Sequence, residues 1–203
     1  MELERLAEAL KNRTPGLMDS SRSYAVLVPL AERDGELSLL YEVRAKTLRR
    51  QPGEVCFPGG RVEPGESFEA CALRETFEEL SIPPEGVRLL GRLDFIAHRA
   101  NFLMQPVLGI VEESALKAMR PSPAEVEEVF FVPLSHLLRT PPIEYTYELV
   151  PAPAEHFPYE LIGIPKDYRW QNGRENVPVY PWKGRAIWGL TGRITRNLVT
   201  FLQ

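Results

Sequence analysis

The chain has 203 residues, 44% of them apolar and 26% charged, with a formal charge of −4. That is enough chain for one domain with a full core, and the proportions exclude a fibrous or disordered polymer. The acidic balance excludes the basic footprint of a nucleic-acid-binding surface, and no apolar run approaches the roughly 18–20 residues of a membrane span. The opening segment MELERLAEALKNR carries charges where a signal peptide needs an apolar stretch, so a cytoplasmic protein is expected. Cys56 and Cys71 lack the spacing of a zinc site or a disulfide framework and are expected to be reduced and packed.

In chain order, Leu3, Leu6, Ala7 and Leu10 predict a short amphipathic helix that stops near Thr14–Gly16 and packs on the body of the protein. The runs YAVLVPL and ELSLLYEVR, joined by ERDG, predict a hairpin. EVCF, VRLLGRLDFIA, FLMQPVLGIV and VEEVFFVPL are further strand candidates around one strong internal helix, 67–80, and PLSHLL is a second short helix. Beyond Thr140 the chain becomes rich in proline and aromatic residues, then closes on a helix with Ile187, Leu190, Ile194 and Leu198 along one stripe. The expected organisation is a single domain over 1–203: an N-terminal helix at 1–16, a core at 22–140, and a C-terminal extension at 141–203 ending in that helix. Strands surrounding one internal helix, without regular strand–helix alternation, make the fold class α+β.

The internal helix has clear ends. Pro64 and Gly65 turn the chain, Ser67 caps the first turn, Glu66 and Glu69 suit the positive end of the helix dipole, and Pro83 and Pro84 stop it. At about 100° per residue, Ala72, Leu73, Thr76, Phe77 and Leu80 share the apolar side, and Arg74, Glu75, Glu78 and Glu79 the polar side. Three glutamates within one turn repel each other, so they lie either on a solvated face or around something multiply positive. The spacing upstream favours the second alternative: Gly59 and Gly60 follow a short strand, Glu66 falls six residues after Gly60, and Arg74 eight after Glu66. A tight backbone turn opposite a ridge of carboxylates suits a hard divalent cation with oxygen ligands, and Arg74 is placed to orient the glutamates.

Gly60, Glu66, Arg74, Glu75, Glu78, Glu79 and Ile82 together resemble the Nudix box, with Thr76 at a position that is usually apolar and Ser81 at one that is usually glycine. The resemblance implies an α/β/α sandwich with a mixed β-sheet, and metal-dependent hydrolysis of a nucleoside diphosphate linked to another group. It carries over Glu75, Glu78, Glu79 and the Gly59 carbonyl as ligands of Mg²⁺ or Mn²⁺, with Glu66 and Arg74 supporting them and Glu78 or a later glutamate as the base. A narrower stretch, LLYEVRAKTLRRQPGEVCFPGG, is similar to the coenzyme A pyrophosphatase branch of that family, as is IWGLTGRI near the end. This implies coenzyme A or a derivative as the substrate, with 3′,5′-ADP and 4′-phosphopantetheine as products. The dense basic run of Arg44, Lys46, Arg49 and Arg50 is then the expected contact for its phosphates. The alternatives are a diphosphatase for ADP-ribose, NADH or another nucleoside diphosphate derivative, and a non-catalytic sensing domain. The expected partner is a small molecule, with no nucleic acid and no membrane, and a homodimer is compatible with the apolar terminal helices. Weaker candidates are His98, the acidic group Glu125, Glu127 and Glu128, and the aromatic residues Tyr168, Trp170, Tyr180, Trp182 and Trp188, for which packing competes with stacking on adenine.

Overall fold

The computed structural model describes residues 2–13, 16–18, 22–33 and 35–203. Thr14 and Pro15, at the expected end of the first helix, and Asp34, in the expected hairpin turn, lie outside the described residues. The chain forms two compact units: Met1–Pro29 with Pro58–Arg120, and Leu30–Phe57 with Pro121–Gln203. The fold class is the expected α+β, helices with a mixed sheet.

The first unit starts with helix α1 (Glu2–Lys11) and the N-terminal part of strand β1 (Arg22–Arg33). It continues through β4 (Gly59–Arg61), helix α2 (Phe68–Leu80), a 3₁₀ turn at Pro84–Gly86, β5 (Val87–Arg92), β6 (Ile96–His98), β7 (Phe102–Val111) and helix α3 (Glu113–Ala118). Strand β1 lies next to β7 and pairs antiparallel with β4, while β7 pairs antiparallel with β5 and β6. Ala25, Leu27 and Val28 of β1 and Val107 of β7 are fully buried, as a strand covered on both faces requires. Cys71, Ala72 and Leu80 of α2 and Ile82 beyond it are fully buried as well.

Two expectations fail here. Helix α1 forms, but it buries none of its residues; Leu3 is 78% exposed, and Leu6 and Leu10 are also exposed. Helix α2 is rotated from the face its apolar residues suggest: Phe77 is half exposed, and its buried residues are Cys71, Ala72, Thr76, Glu79 and Leu80. The rotation brings a carboxylate inward because a backbone donor waits for it, as the site geometry shows.

The second unit contains the end of β1, β2 (Glu36–Arg44), β3 (Val55–Cys56), β8 (Val126–Pro133) and helix α4 (Leu134–Arg139). Then follow β9 (Ile143–Leu149), β10 (Gly173–Trp182), β11 (Arg185–Ile187) and helix α5 (Gly189–Thr200). Strand β2 pairs antiparallel with the end of β1, with β3 and with β8. β9, β10 and β11 make a separate three-stranded sheet. Tyr41 of β2 stacks between Phe57 and Phe130 and hydrogen-bonds the Thr195 hydroxyl of α5 at 2.9 Å. Gly192 lets α5 lie on the Pro178 carbonyl, where a Cβ would collide. Ile187, expected on the closing helix, belongs to β11 and is fully buried there; Ile194 and Leu198 hold the expected stripe.

Candidate active site

The site grows from β4 and α2. Gly59 and Gly60 pair with Val26 and Ala25 of β1, and neither tolerates a side chain. A Cβ on Gly59 would strike the Ala25 carbonyl and Val26, and one on Gly60 would strike the Glu75 carboxylate. The glycine pair is therefore the space into which α2 sets its acids. Ser67 caps that helix by accepting from the Ala70 amide at 3.1 Å. Ser81 ends it in the left-handed conformation, φ 57°, the arrangement that favours glycine. Its hydroxyl donates to the Arg120 carbonyl at 2.9 Å, and its amide to the Phe77 carbonyl at 2.8 Å.

Glu79 is only 4% exposed, and its Oε2 accepts from the Gly59 amide at 2.9 Å. A lone carboxylate at such a depth is expensive, and this charge-assisted bond offsets part of the cost. Arg74 organises the remaining acids. Its Nε and Nη2 fork onto Glu66 at 2.9 and 3.2 Å, Nη1 donates to Glu75 at 2.8 Å, and Nη2 also reaches the Arg61 carbonyl at 3.1 Å. Nη1 lies 3.3 Å from Glu78, the longest of its carboxylate distances, and Glu78 is half exposed. The Arg74 guanidinium, followed by the Glu63 amide, holds the Glu66 carboxyl down at about 2, and its carboxylate neighbours keep Arg74 charged. Burial, with Glu66 and Glu75 nearby, pushes the Cys71 thiol up to about 12, which makes it a poor nucleophile.

Three carboxylates, Glu66, Glu75 and Glu78, thus surround one guanidinium, and the local charge remains negative. Among the described residues no three acidic, histidine or cysteine groups stand in a ready coordination geometry, since Glu75 and Glu78 both turn onto Arg74. The donor set nevertheless fits a hard divalent cation, because it is all oxygen, over-charged, and contained in one helical turn. An open cleft of about 680 Å³ runs alongside, with Ser23, Arg61, Glu63, Arg74 and Glu75 among its walls. All the box residues expected from the sequence come together in the first unit.

The expected basic residues belong to the second unit. Arg44 ends β2, and Lys46, Arg49 and Arg50 are exposed on the loop that follows. Lys46 pairs with Glu127 at 3.3 Å, and Arg185 with Glu128, so two of the three later glutamates serve as local ion-pair partners. In the first unit, the His98 ring stacks on Phe102 at 4.4 Å and its Nδ1 accepts from the Ala100 amide at 3.1 Å, which makes it a brace of its own turn. Phe157 gathers Trp170, Trp182 packs on His136, and Tyr180 is buried, so packing is the role seen for these aromatic residues. Trp188 is half exposed.

Sequence reasoning passed over Glu42. It sits 1% exposed on β2, opposite Cys56 of β3, whose thiol donates to its Oε1 at 3.1 Å; Oε2 has no partner among the described residues. Burial pushes its carboxyl up to about 7. The available signal was a lone charge inside the apolar run LLYEV.

The NUDIX domain model matches residues 21–152 of the chain. The chain is 31% identical over 207 residues to Nudix hydrolase 3 of Caenorhabditis elegans, covering 99% of this chain and 83% of that protein. It is 36% identical to the human mitochondrial coenzyme A diphosphatase NUDT8, covering 98% and 77% respectively. To the mouse peroxisomal coenzyme A diphosphatase NUDT7 it is 40% identical over 131 residues, spanning 64% of this chain and about half, 54%, of that protein. The box geometry and these likenesses agree, and the chain belongs to the Nudix hydrolase family.

Proposed function

We propose that this protein hydrolyses the diphosphate bond of coenzyme A or one of its derivatives, with Mg²⁺ or Mn²⁺, to give 3′,5′-ADP and 4′-phosphopantetheine. Nudix hydrolases generally use divalent metal ions. The observation that carries the reading is the Arg74-centred network beside the Gly59-held Glu79, an intact acidic ridge that a sensing domain has no need to retain. Glu75, Glu78, Glu79 and the Gly59 carbonyl would hold the cation, which when bound neutralises phosphate charge and lowers the pKa of a coordinated water. The chain's own part is to pre-organise: Arg74 fixes Glu66 and Glu75, and the Gly59 amide fixes Glu79. Glu78, half exposed and with only the longest contacts to Arg74, is the carboxylate with room to swing and accept the proton of the attacking water. The choice of coenzyme A draws on the likeness to NUDT7 and NUDT8 and on the upstream run with Arg44, Lys46, Arg49 and Arg50.

The test is product release from coenzyme A, an acyl-coenzyme A, NADH, ADP-ribose and diadenosine polyphosphates, with and without Mg²⁺ or Mn²⁺. Coenzyme A or its acyl form is expected to be cleaved fastest, and only with metal. Faster turnover of ADP-ribose would reject the substrate, and hydrolysis that survives chelation would reject the metal ridge.

A further inference from the structure

The charges in the loop between β2 and β3 do not all have the same freedom to meet an anion. Strand β2 ends at Arg44 opposite a bulge in β8: Val43 faces Glu128, Arg44 faces Val126, and Glu127 is passed over. Bulges redirect the side chains beside them. Both main-chain groups of Arg44 close the loop, its amide donating to the Glu54 carbonyl at 2.9 Å and its carbonyl accepting from the Gly53 amide at 2.9 Å. Its side chain adds a third tie, Nε to the Arg50 carbonyl at 3.4 Å. Inside the loop, Gln51 adopts a left-handed conformation, φ 52°, and donates to the Glu54 carboxylate at 2.9 Å. At its start, the Ala45 amide donates to the Glu125 carbonyl at 2.8 Å.

Glu42 lies two residues before Arg44, on the same face of β2. Its Oε1 takes the Cys56 thiol and its buried Oε2 has no partner among the described residues. The charges that act on it are Arg44, which favours its anion, and Glu125, which opposes it. A buried oxygen left without a hydrogen bond calls for a reason, and the neighbouring guanidinium supplies one.

We propose that Glu42 and Arg44 are positioning residues that hold the loop 45–54 in the shape presenting the exposed Arg49 and Arg50 to an anionic substrate. Arg44, tied to a carbonyl beside a buried carboxylate, is the pin of the loop and leaves the bidentate phosphate contact to those two arginines. The substrate half of this inference rests on the diphosphatase reading above; the loop half does not.

The experiment measures amide hydrogen exchange at Gly53 and Glu54, together with KM and kcat for coenzyme A, in Arg44→Ala, Arg44→Gln and Glu42→Gln. Arg44→Ala is expected to speed exchange at both amides about tenfold and to raise KM about tenfold, with kcat changing far less. Arg44→Gln places an amide nitrogen where Nε stood and so recovers most of both effects; a pure phosphate contact would leave loop exchange unchanged in every Arg44 variant. Glu42→Gln moves both readouts in the same direction by less. On an Arg49→Ala, Arg50→Ala background, Arg44→Ala adds less than about twofold to KM. Unchanged loop exchange in Arg44→Ala, or a fully additive loss in that cycle, overturns the inference in favour of direct phosphate contact. Faster exchange in a protein that cleaves no coenzyme A leaves the pin standing and removes the substrate reading.

Discussion

Glu79 and Glu42 are both buried carboxylates, and different groups meet their oxygens. Glu79 has a backbone amide at 2.9 Å aimed at its oxygen, while Glu42 has a thiol on one oxygen and, among the described residues, no hydrogen-bond partner on the other. Glu79→Gln keeps an acceptor for the Gly59 amide, so its stability should stay within about 1 kcal/mol of the parent protein. Its kcat should nevertheless fall about 10²-fold or more, because the proposed cation site loses one of its charges. Chemical denaturation beside steady-state rates separates the two effects. Glu42 has a folded-state pKa of about 7 against 4.5 for the free side chain. A carboxyl raised in this way favours folding below pH 4.5, and that contribution is lost as the pH rises through 7. The unfolding free energy should therefore drop between about pH 5 and 8, by on the order of 3 kcal/mol at most for that shift. Glu42→Gln should flatten the drop; an equally steep profile in the variant would assign the titration to other groups.

Helix α2 shows what local signals determine and where they stop. Its cap at Ser67, its end at Ser81 and its acidic ridge follow from spacing and propensity, and the structure has all three. Its rotation does not follow, because the inward place of Glu79 depends on a donor twenty residues away, on β4. Ser81 is also less of a liability than its left-handed backbone suggests, since the hydroxyl bond to Arg120 compensates for the strain. Ser81→Ala keeps the strain and loses the bond, so it should destabilise by about 1 kcal/mol, whereas Ser81→Gly relieves the strain as it loses the bond and should stay within about 0.5 kcal/mol. Thermal unfolding of both variants checks the pair. Strands β2 and β7 were legible residue for residue, because long apolar runs between turn residues have few alternatives. Strand β4 was not: it consists of two glycines and an arginine, and only its pairing with β1 makes it a strand.

At the scale of the whole molecule, α1 is the element whose sequence promises most and whose packing delivers least. Its leucine stripe has helical spacing yet no residue of the helix is buried. Removing residues 1–13 should therefore move the unfolding temperature by less than about 2 °C, and a larger fall, measured by calorimetry, would mean that the stripe is covered in solution. The sequence alone determined the family, the class of the fold and the grouping of the candidate site residues. Seven residues at set intervals put three acids and an arginine on one helical turn, and the range of a helical turn is short enough for sequence to dictate it. Tertiary structure alone decided which acids are deep and which are held. The burial of Glu79 on the Gly59 amide, the fork of Arg74 on Glu66, and the stranded oxygen of Glu42 all depend on partners from other elements. Solvation and hydrogen bonding in three dimensions set the energy of a charge, and the order of residues along a chain does not record them.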